Sequence, residues 1–262
     1  MSVTPQLRQT GQTEAGDGQR LLVEARNLQK KFKSYHAVRG VSFTCYAGEV
    51  FGLLGPNGAG KTTTIRMLTT ILRPTAGTAR IAGHDVTRDP EAVRRSIGVL
   101  PENAGVYGRL SGREAIRYAG RLYGLGGPGL EQRIVEIADA LELTTHLDRL
   151  TDTYSKGMKQ KVNVARALIH NPPVVFLDEP TSGLDVFSAR SVRDFVLRFK
   201  AEGRCVVLST HMMEEAERLC DRVAIIAGGR IRAEGDLAAL KAETGKDLEE
   251  IFMTMVGQSI VT

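Results

Sequence analysis

No run of this 262-residue chain approaches the ~20 apolar residues that a membrane helix needs, and its first residues lack the apolar core of a signal peptide. A soluble, cytosolic protein is expected. Cysteine is sparse: Cys45, Cys205 and Cys220 are odd in number and scattered, with no Cys-x-x-Cys or zinc-ligand spacing. They read as reduced core residues of a reducing compartment. Blocks of like charge are missing as well. The 35 basic and 30 acidic residues leave a formal net charge of +5 spread along the chain, so no nucleic-acid partner is expected and only a weak attraction to anionic lipid follows. The length suffices for one large α/β unit with a sizeable core.

Glycine is where the sequence becomes specific. Gly55, Pro56, Asn57, Gly58, Ala59, Gly60, Lys61, Thr62 and Thr63 stand between the apolar run 50–54 and the helical spacing of Ile65, Leu68, Ile71 and Leu72. Glycines at 55, 58 and 60 permit positive φ and close backbone approach, so successive N–H groups and a helix N-terminus can face phosphate oxygens. Lys61 would neutralise the β- and γ-phosphates, and Thr62 would offer its hydroxyl to Mg2+. A glycine-rich turn that merely contains lysine does not require every one of these positions. A nucleoside triphosphate is the expected ligand.

The apolar run 174–177 delivers Asp178 and Glu179 at its C-terminal end, where open α/β sheets bind ligands. Asp178 is expected in the Mg2+ shell. Glu179 is placed to polarise the water that attacks the γ-phosphate, a general-base role typically worth ~10²–10⁴-fold. In isolation the same pair would read as a polar turn before Pro180.

Three further motifs follow. Tyr154, Ser155, Lys156, Gly157, Met158, Lys159 and Gln160 precede a helical stretch at 162–170. Ser182, Gly183, Leu184 and Asp185 follow the acidic pair, and Ser209, Thr210 and His211 close a strand-like run at 205–208. With the phosphate loop and the acidic pair, these motifs, between about residues 22 and 235, resemble the ATP-binding subunits of ABC transporters. The resemblance implies an α/β fold, a P-loop NTPase ABC cassette with a parallel core sheet, an antiparallel β layer and an inserted helical subdomain. It implies ATP and Mg2+ as cofactors. Ser155 and Gly157 would cap the γ-phosphate held by a second copy, a sensible use of a small hydroxyl and a glycine at a helix N-terminus. Asp185 would link the two sites of a head-to-tail dimer, and His211 would hydrogen-bond the γ-phosphate and the attacking water. Phe32 aligns with the aromatic that stacks on adenine; a core position is its competing reading, and Tyr35 is the other candidate. Ser155, Asp185 and His211 also have plainer readings, as helix caps and a surface histidine.

Departures from the family pattern narrow it. Glu102 stands where most cassettes carry glutamine. Its carboxylate can still accept from water and approach Mg2+ through it, so it joins Lys61, Glu179 and His211 as a catalytic candidate, while adding negative charge beside Asp178 and Glu179. Lys156 and Met158 replace a glycine and a glutamine, Lys156 either assisting the phosphate or facing solvent. With Leu122, Tyr123, Gly124, Leu125 and the tail 247–253, these features resemble the sodium-extrusion (NatA-type) branch. That likeness implies export of Na+ or another small cation through a separate integral membrane permease, with the subunit peripheral on the inner face of the cell membrane. Exporter ATPases for drugs share much of the pattern, and a soluble regulator acting on nucleic acid or ribosomes is the remaining alternative.

In chain order, residues 1–19 lack apolar periodicity and are expected to form a disordered tail. The ATPase domain is expected over 20–235. Its antiparallel layer would come from strands at 21–25, 41–46 and 78–82, and its parallel core from 50–54, 97–100, 174–177 and 205–208. A helical lobe is expected at about 102–162, where Ser111 and Glu114 form a capping box for a helix to about Tyr123, 124–129 is a loop and 130–141 a second helix. Val106, Tyr107 and Leu110 at its entry are either permease contacts or core staples. A hairpin about Gly228 and Gly229 and a helical extension over 236–262, with helices near 237–241 and 247–255, complete the expectation.

Overall fold

The computed structural model describes residues 19–257. The expected disordered tail, apart from Gln19, and the last five positions of the expected C-terminal extension lie outside the described residues. Strands β1 (Leu21–Phe32) and β2 (Tyr35–Tyr46) form a long hairpin, followed by β3 (Val50–Leu54) and helix α1 (Lys61–Leu68). Next come β4 (Ala76–Ile81), β5 (His84–Asp85), α2 (Pro90–Arg95) and β6 (Ile97–Leu100), then α3 (Gly112–Leu122), α4 (Gly127–Ala140) and α5 (Lys156–Leu168). The chain returns through β7 (Val174–Asp178), α6 (Val186–Ala201), β8 (Cys205–Thr210) and α7 (Met213–Leu219). It closes with the hairpin β9 (Arg222–Ala227) and β10 (Arg230–Asp236), then α8 (Leu237–Thr244) and α9 (Leu248–Gly257).

Two sheets result. One is antiparallel, in the order β2-β1-β4-β5; the other runs β10-β9-β3-β8-β7-β6, parallel except where β10 pairs antiparallel with β9. Strands β3, β7 and β8 are buried along their whole length because both faces of the sheet are covered, which is why they read as apolar runs up to the polar residues Asp178, Ser209 and Thr210 that end β7 and β8. Alternation then sorts their side chains. Phe51, Leu53, Phe176 and Val207 face a core shared with the antiparallel sheet and with Ile65, Met67 and Leu68 of α1. Val50, Leu54, Leu177 and Leu208 face the opposite core, shared with Ile116, Ile134 and Val162 of α3, α4 and α5.

The parallel register positions the site. Leu54 is the partner of Thr210, Ser209 of Asp178, and Leu177 of Leu100, so the C-terminal ends of β3, β8, β7 and β6 lie side by side. Residues just beyond these four ends become neighbours, as expected for ligand binding in open α/β sheets.

Several boundaries differ from expectation. β1 extends past 25 to Phe32 because β2 and β4 pair with it on both sides, and register shifts around Leu28 and Lys30 absorb the polar residues that break its alternation. α4 starts at Gly127, inside the expected loop, since proline is tolerated in a first helical turn and Pro128 sits there. α5 starts at Lys156 instead of near 162, capped by Ser155. The capping box of α3 is complete: Glu114 N–H donates to Ser111 Oγ at 3.2 Å, and Ser111 N–H donates to Glu114 Oε2 at 2.8 Å. Val106 and Leu110 pack on the core, while Tyr107 is 69% exposed. All three cysteines are buried and free.

Candidate active site

The loop after β3 wraps the N-terminus of α1, whose first amides have no partners within the helix and suit an anion. Glycine is required at two points. A Cβ on Gly55 would lie 2.4 Å from the Ile226 carbonyl oxygen, and Gly60, at φ 109°, would bring one to 2.8 Å from that of Ala37. The loop is thus pressed against β9 and β2.

Lys61 points back under this loop. Its Nζ donates to the Gly55 carbonyl at 2.7 Å and lies 3.5 Å from Glu179 Oε1, and both side chains are nearly buried, 6% and 7% exposed. His211 Nδ1 lies 3.0 and 2.9 Å from the two Glu179 oxygens. An ionised carboxylate only accepts, so this contact calls for a proton on Nδ1. Glu179 itself has φ 52°, a left-handed backbone that a non-glycine residue adopts at a cost. Its amide donates to the Ser209 carbonyl at 3.0 Å, and its own carbonyl accepts from the Ser182 amide at 3.2 Å, holding that conformation.

One cavity of about 490 Å3 is lined by Pro56, Asn57, Gly58, Ala59, Gly60, Lys61, Thr62, Thr63, Glu102, Glu179 and His211 of the predicted residues, together with Tyr35, Ala37 and Ser182. Gly55 and Asp178 lie behind that surface, Asp178 3% exposed and accepting from Ser209 Oγ. Phe32 is not in the lining. It sits at the hairpin turn opposite Tyr35 with Lys30 Nζ 5.1 Å from its ring centroid, one strand farther from the phosphate loop than Tyr35. Ala37 had no motif to mark it and enters only because β2 borders the cavity; Ser182 opens the motif that ends at Asp185 but was not singled out as a site residue, and the loop after β7 brings it to the cavity.

Ser155, Gly157 and Asp185 gather elsewhere. Ser155 Oγ caps α5 by accepting from the Met158 amide at 3.2 Å, and Asp185 Oδ1 caps α6 by accepting from the Ser188 amide at 2.9 Å. The Ser188 hydroxyl and amide hold the Asp185 carboxyl below its ordinary range. A Cβ on Gly157 would meet Ser188 Oγ at 2.0 Å and Asp185 Oδ2 at 3.4 Å, so the two helix starts touch. This cluster does not line the cavity of its own chain.

No group of three or more His, Cys, Asp or Glu able to hold a metal ion occurs among the described residues. Mg2+ carried by a nucleotide keeps phosphate and water oxygens as most of its ligands and asks the protein for one or two. The donors at hand are the Thr62 hydroxyl and the Asp178 carboxylate, both hard oxygens, so the residues present fit the ion.

Comparison with known proteins agrees with this geometry. The family model described as ABC transporter matches residues 38–182. The chain is 41% identical over 238 residues to the ABC transporter ATP-binding protein NatA of Bacillus subtilis (strain 168), covering 90% of this chain and 97% of that one. It is 43% identical over 226 residues to the daunorubicin/doxorubicin resistance ATP-binding protein DrrA of Streptomyces peucetius, covering 86% and 68% respectively. A solved structure described as the ATP binding subunit of an ABC transporter superposes with a TM-score of 0.82 at 32% identity, covering 89% of this chain and 99% of the other. A glycine loop closed on a buried lysine, an acidic pair at the neighbouring strand end and these matches converge: the chain belongs to the ABC transporter family, as one of its ATP-binding, ATP-hydrolysing subunits.

Proposed function

We propose that this chain powers export through a separate integral membrane permease, two copies packing head to tail around two ATP molecules. The observation that carries the reading is the Glu179 carboxylate, buried between Lys61 and His211 at the floor of the phosphate-loop cavity. Water attacking the γ-phosphorus passes its proton to Glu179 while the bond to the β-phosphate oxygen breaks, leaving ADP and inorganic phosphate. Lys61 balances phosphate charge, and His211 orients the Glu179 carboxylate and faces the γ-phosphate. Thr62 and Asp178, with Glu102 acting through water, are the residues that would hold Mg2+, which supplies neutralisation of the charge developing on the phosphates. We assign the adenine platform to Tyr35, because it borders the cavity and Phe32 does not. The Ser155, Gly157 and Asp185 cluster, lying outside its own chain's cavity, is free to complete the other copy's site.

The cassette in this reading spans residues 20–235, with the helical lobe at about 102–162 and a helical extension from 236. Coupling to the permease runs through the loop after Glu102. Asn163 Nδ2 donates to the Ala104 carbonyl at 3.0 Å, and an Arg166 guanidinium N–H donates to that of Gly105 at 2.9 Å, tying this loop to α5. Beside it lies a second cavity of about 400 Å3, bordered by Pro101, Leu122 and Tyr123. A permease segment seated there is biased by ATP to the extent of its differential contact free energy in the two states. The assembly places the chain at the cytoplasmic face of the membrane, and no helix among the described residues is long and apolar enough to cross it.

Na+ or another small cation is the first cargo reading, resting on the sequence resemblance at residues 122–125, 155–161 and 247–253. The identity to a protein named for daunorubicin and doxorubicin resistance favours a second, drug export. Vesicles holding the chain with its permease, loaded with a sodium-sensitive dye or exposed to doxorubicin, separate the two. ATP-dependent sodium movement supports the first, drug movement without sodium the second, and movement of neither by an assembled, hydrolysing complex rejects both.

A further inference from the structure

Glu215 is a buried carboxyl that the reaction outlined above does not use. It lies in the first turn of α7, just past Thr210 and His211, and is 2% exposed. Its neighbours on the helix behave as surface acids: Glu214 pairs with Arg218, and Glu217 pairs with Lys241. Glu215 forms no ion pair among the described residues. Its Oε1 accepts from Thr181 Oγ1, and its buried Oε2 has no hydrogen-bond partner.

Thr181, itself buried, stands two residues beyond Glu179 in the turn that begins at the strained φ of that residue. The turn is held from one side by α5, where Gln160 Nε2 donates to the Pro180 carbonyl at 2.8 Å, and from the other by Glu215. We propose that Glu215 is a positioning residue for ATP hydrolysis: by anchoring Thr181 it maintains the left-handed backbone at Glu179 and so aims that carboxylate between Lys61 and His211. This rests on the reading of Glu179 as the general base.

The charge balance is consistent. Burial pushes the Glu215 carboxyl up and the charge of Glu179 adds to it, while the Thr181 and Thr210 hydroxyls and Arg193 oppose the shift. A neutral acid costs far less to bury than an anion and spares Glu179 a second negative charge nearby.

The test is steady-state MgATP hydrolysis by the full chain, with Glu179→Gln as the reference for lost base catalysis. Glu215→Ala and Thr181→Val should each lower kcat roughly 10- to 100-fold while KM and the Kd of a fluorescent ATP analogue stay within about twofold, since misaiming a catalytic group costs that order. Glu215→Gln, neutral and of the same shape, should restore kcat to within about threefold of the parent. Parent-like kcat in Glu215→Ala with only a lower melting temperature overturns the inference, and so does a Glu215→Gln as slow as Glu215→Ala. Should Glu215→Ala not fold, Thr181→Val reads the same contact. A Glu179→Gln chain that hydrolyses ATP normally would instead remove the base assignment itself.

Discussion

Replacing Glu179 by glutamine isolates one charge in an otherwise unchanged shape. The carboxylate lies 3.5 Å from Lys61 Nζ and 2.9 Å from His211 Nδ1, and the pair with Lys61 is shielded from water. At 3.5 Å and an effective dielectric of about 20, the attraction to Lys61 is ~5 kcal/mol before the desolvation of both groups is subtracted. Lys61 keeps its bond to the Gly55 carbonyl, so the variant should fold with a modestly lower melting temperature. An amide cannot take a proton from water. The expected loss of kcat is therefore ~10²–10⁴-fold, or ~2.7–5.4 kcal/mol of barrier. ATP binding should persist or tighten, because Lys61 no longer divides its charge between a carboxylate and the phosphates. Phosphate release under saturating MgATP, a fluorescent-analogue titration and light scattering would measure turnover, affinity and assembly, with dimer accumulating in the variant. A kcat within threefold of the parent at full analogue binding would refute proton transfer to this group.

Other expectations concern the loop, the base platform and the subunit boundary. Gly60→Ala adds a Cβ 2.8 Å from the Ala37 carbonyl at a positive φ, so it should cost ~1–3 kcal/mol in urea denaturation and weaken analogue binding; an unchanged midpoint would mean that the loop relaxes freely. Tyr35→Ala should weaken ATP by ~1–3 kcal/mol while Phe32→Ala leaves it unaltered, and calorimetry giving the reverse order would return the platform to Phe32. Mixing inactive Ser155→Arg chains with inactive Lys61→Ala chains should regain part of the parent activity, since each heterodimer holds one intact composite site; no recovery at any mixing ratio would argue that each chain acts alone.

The legible part of this site is contiguous. Gly55 to Thr63 carries its own strand, turn and helix start, and the glycines, lysine and threonine act within one loop, so local spacing suffices to read them. Ser111 and Glu114 are legible for the same reason, both halves of the cap lying within one helical turn. β1 was only half legible because the successive polar residues Arg26 and Asn27 break the alternation that runs from Val23 to Ala25, and pairing on both edges supplies what the pattern lacks. Glu215 was not legible at all: it stands among Glu214 and Glu217 on a polar helix, and nothing in the string distinguishes the acid that is buried.

The amino-acid order alone determined that a triphosphate-binding loop, an acidic pair at a strand end and a histidine at another strand end exist in this chain, since each rests on chemistry within a few residues. Which of them meet was decided by the tertiary structure. The β3-β8-β7 register brings Lys61, His211 and Glu179 together, β2 and not β1 borders the loop so that Tyr35 replaces Phe32 in the cavity wall, and α7 packs down on Thr181 to bury Glu215. The physical reason is that strand pairing and core packing act between segments far apart in the chain, and a shift of one residue in the register of a strand would turn its side chains to the other face and move the loops that follow it.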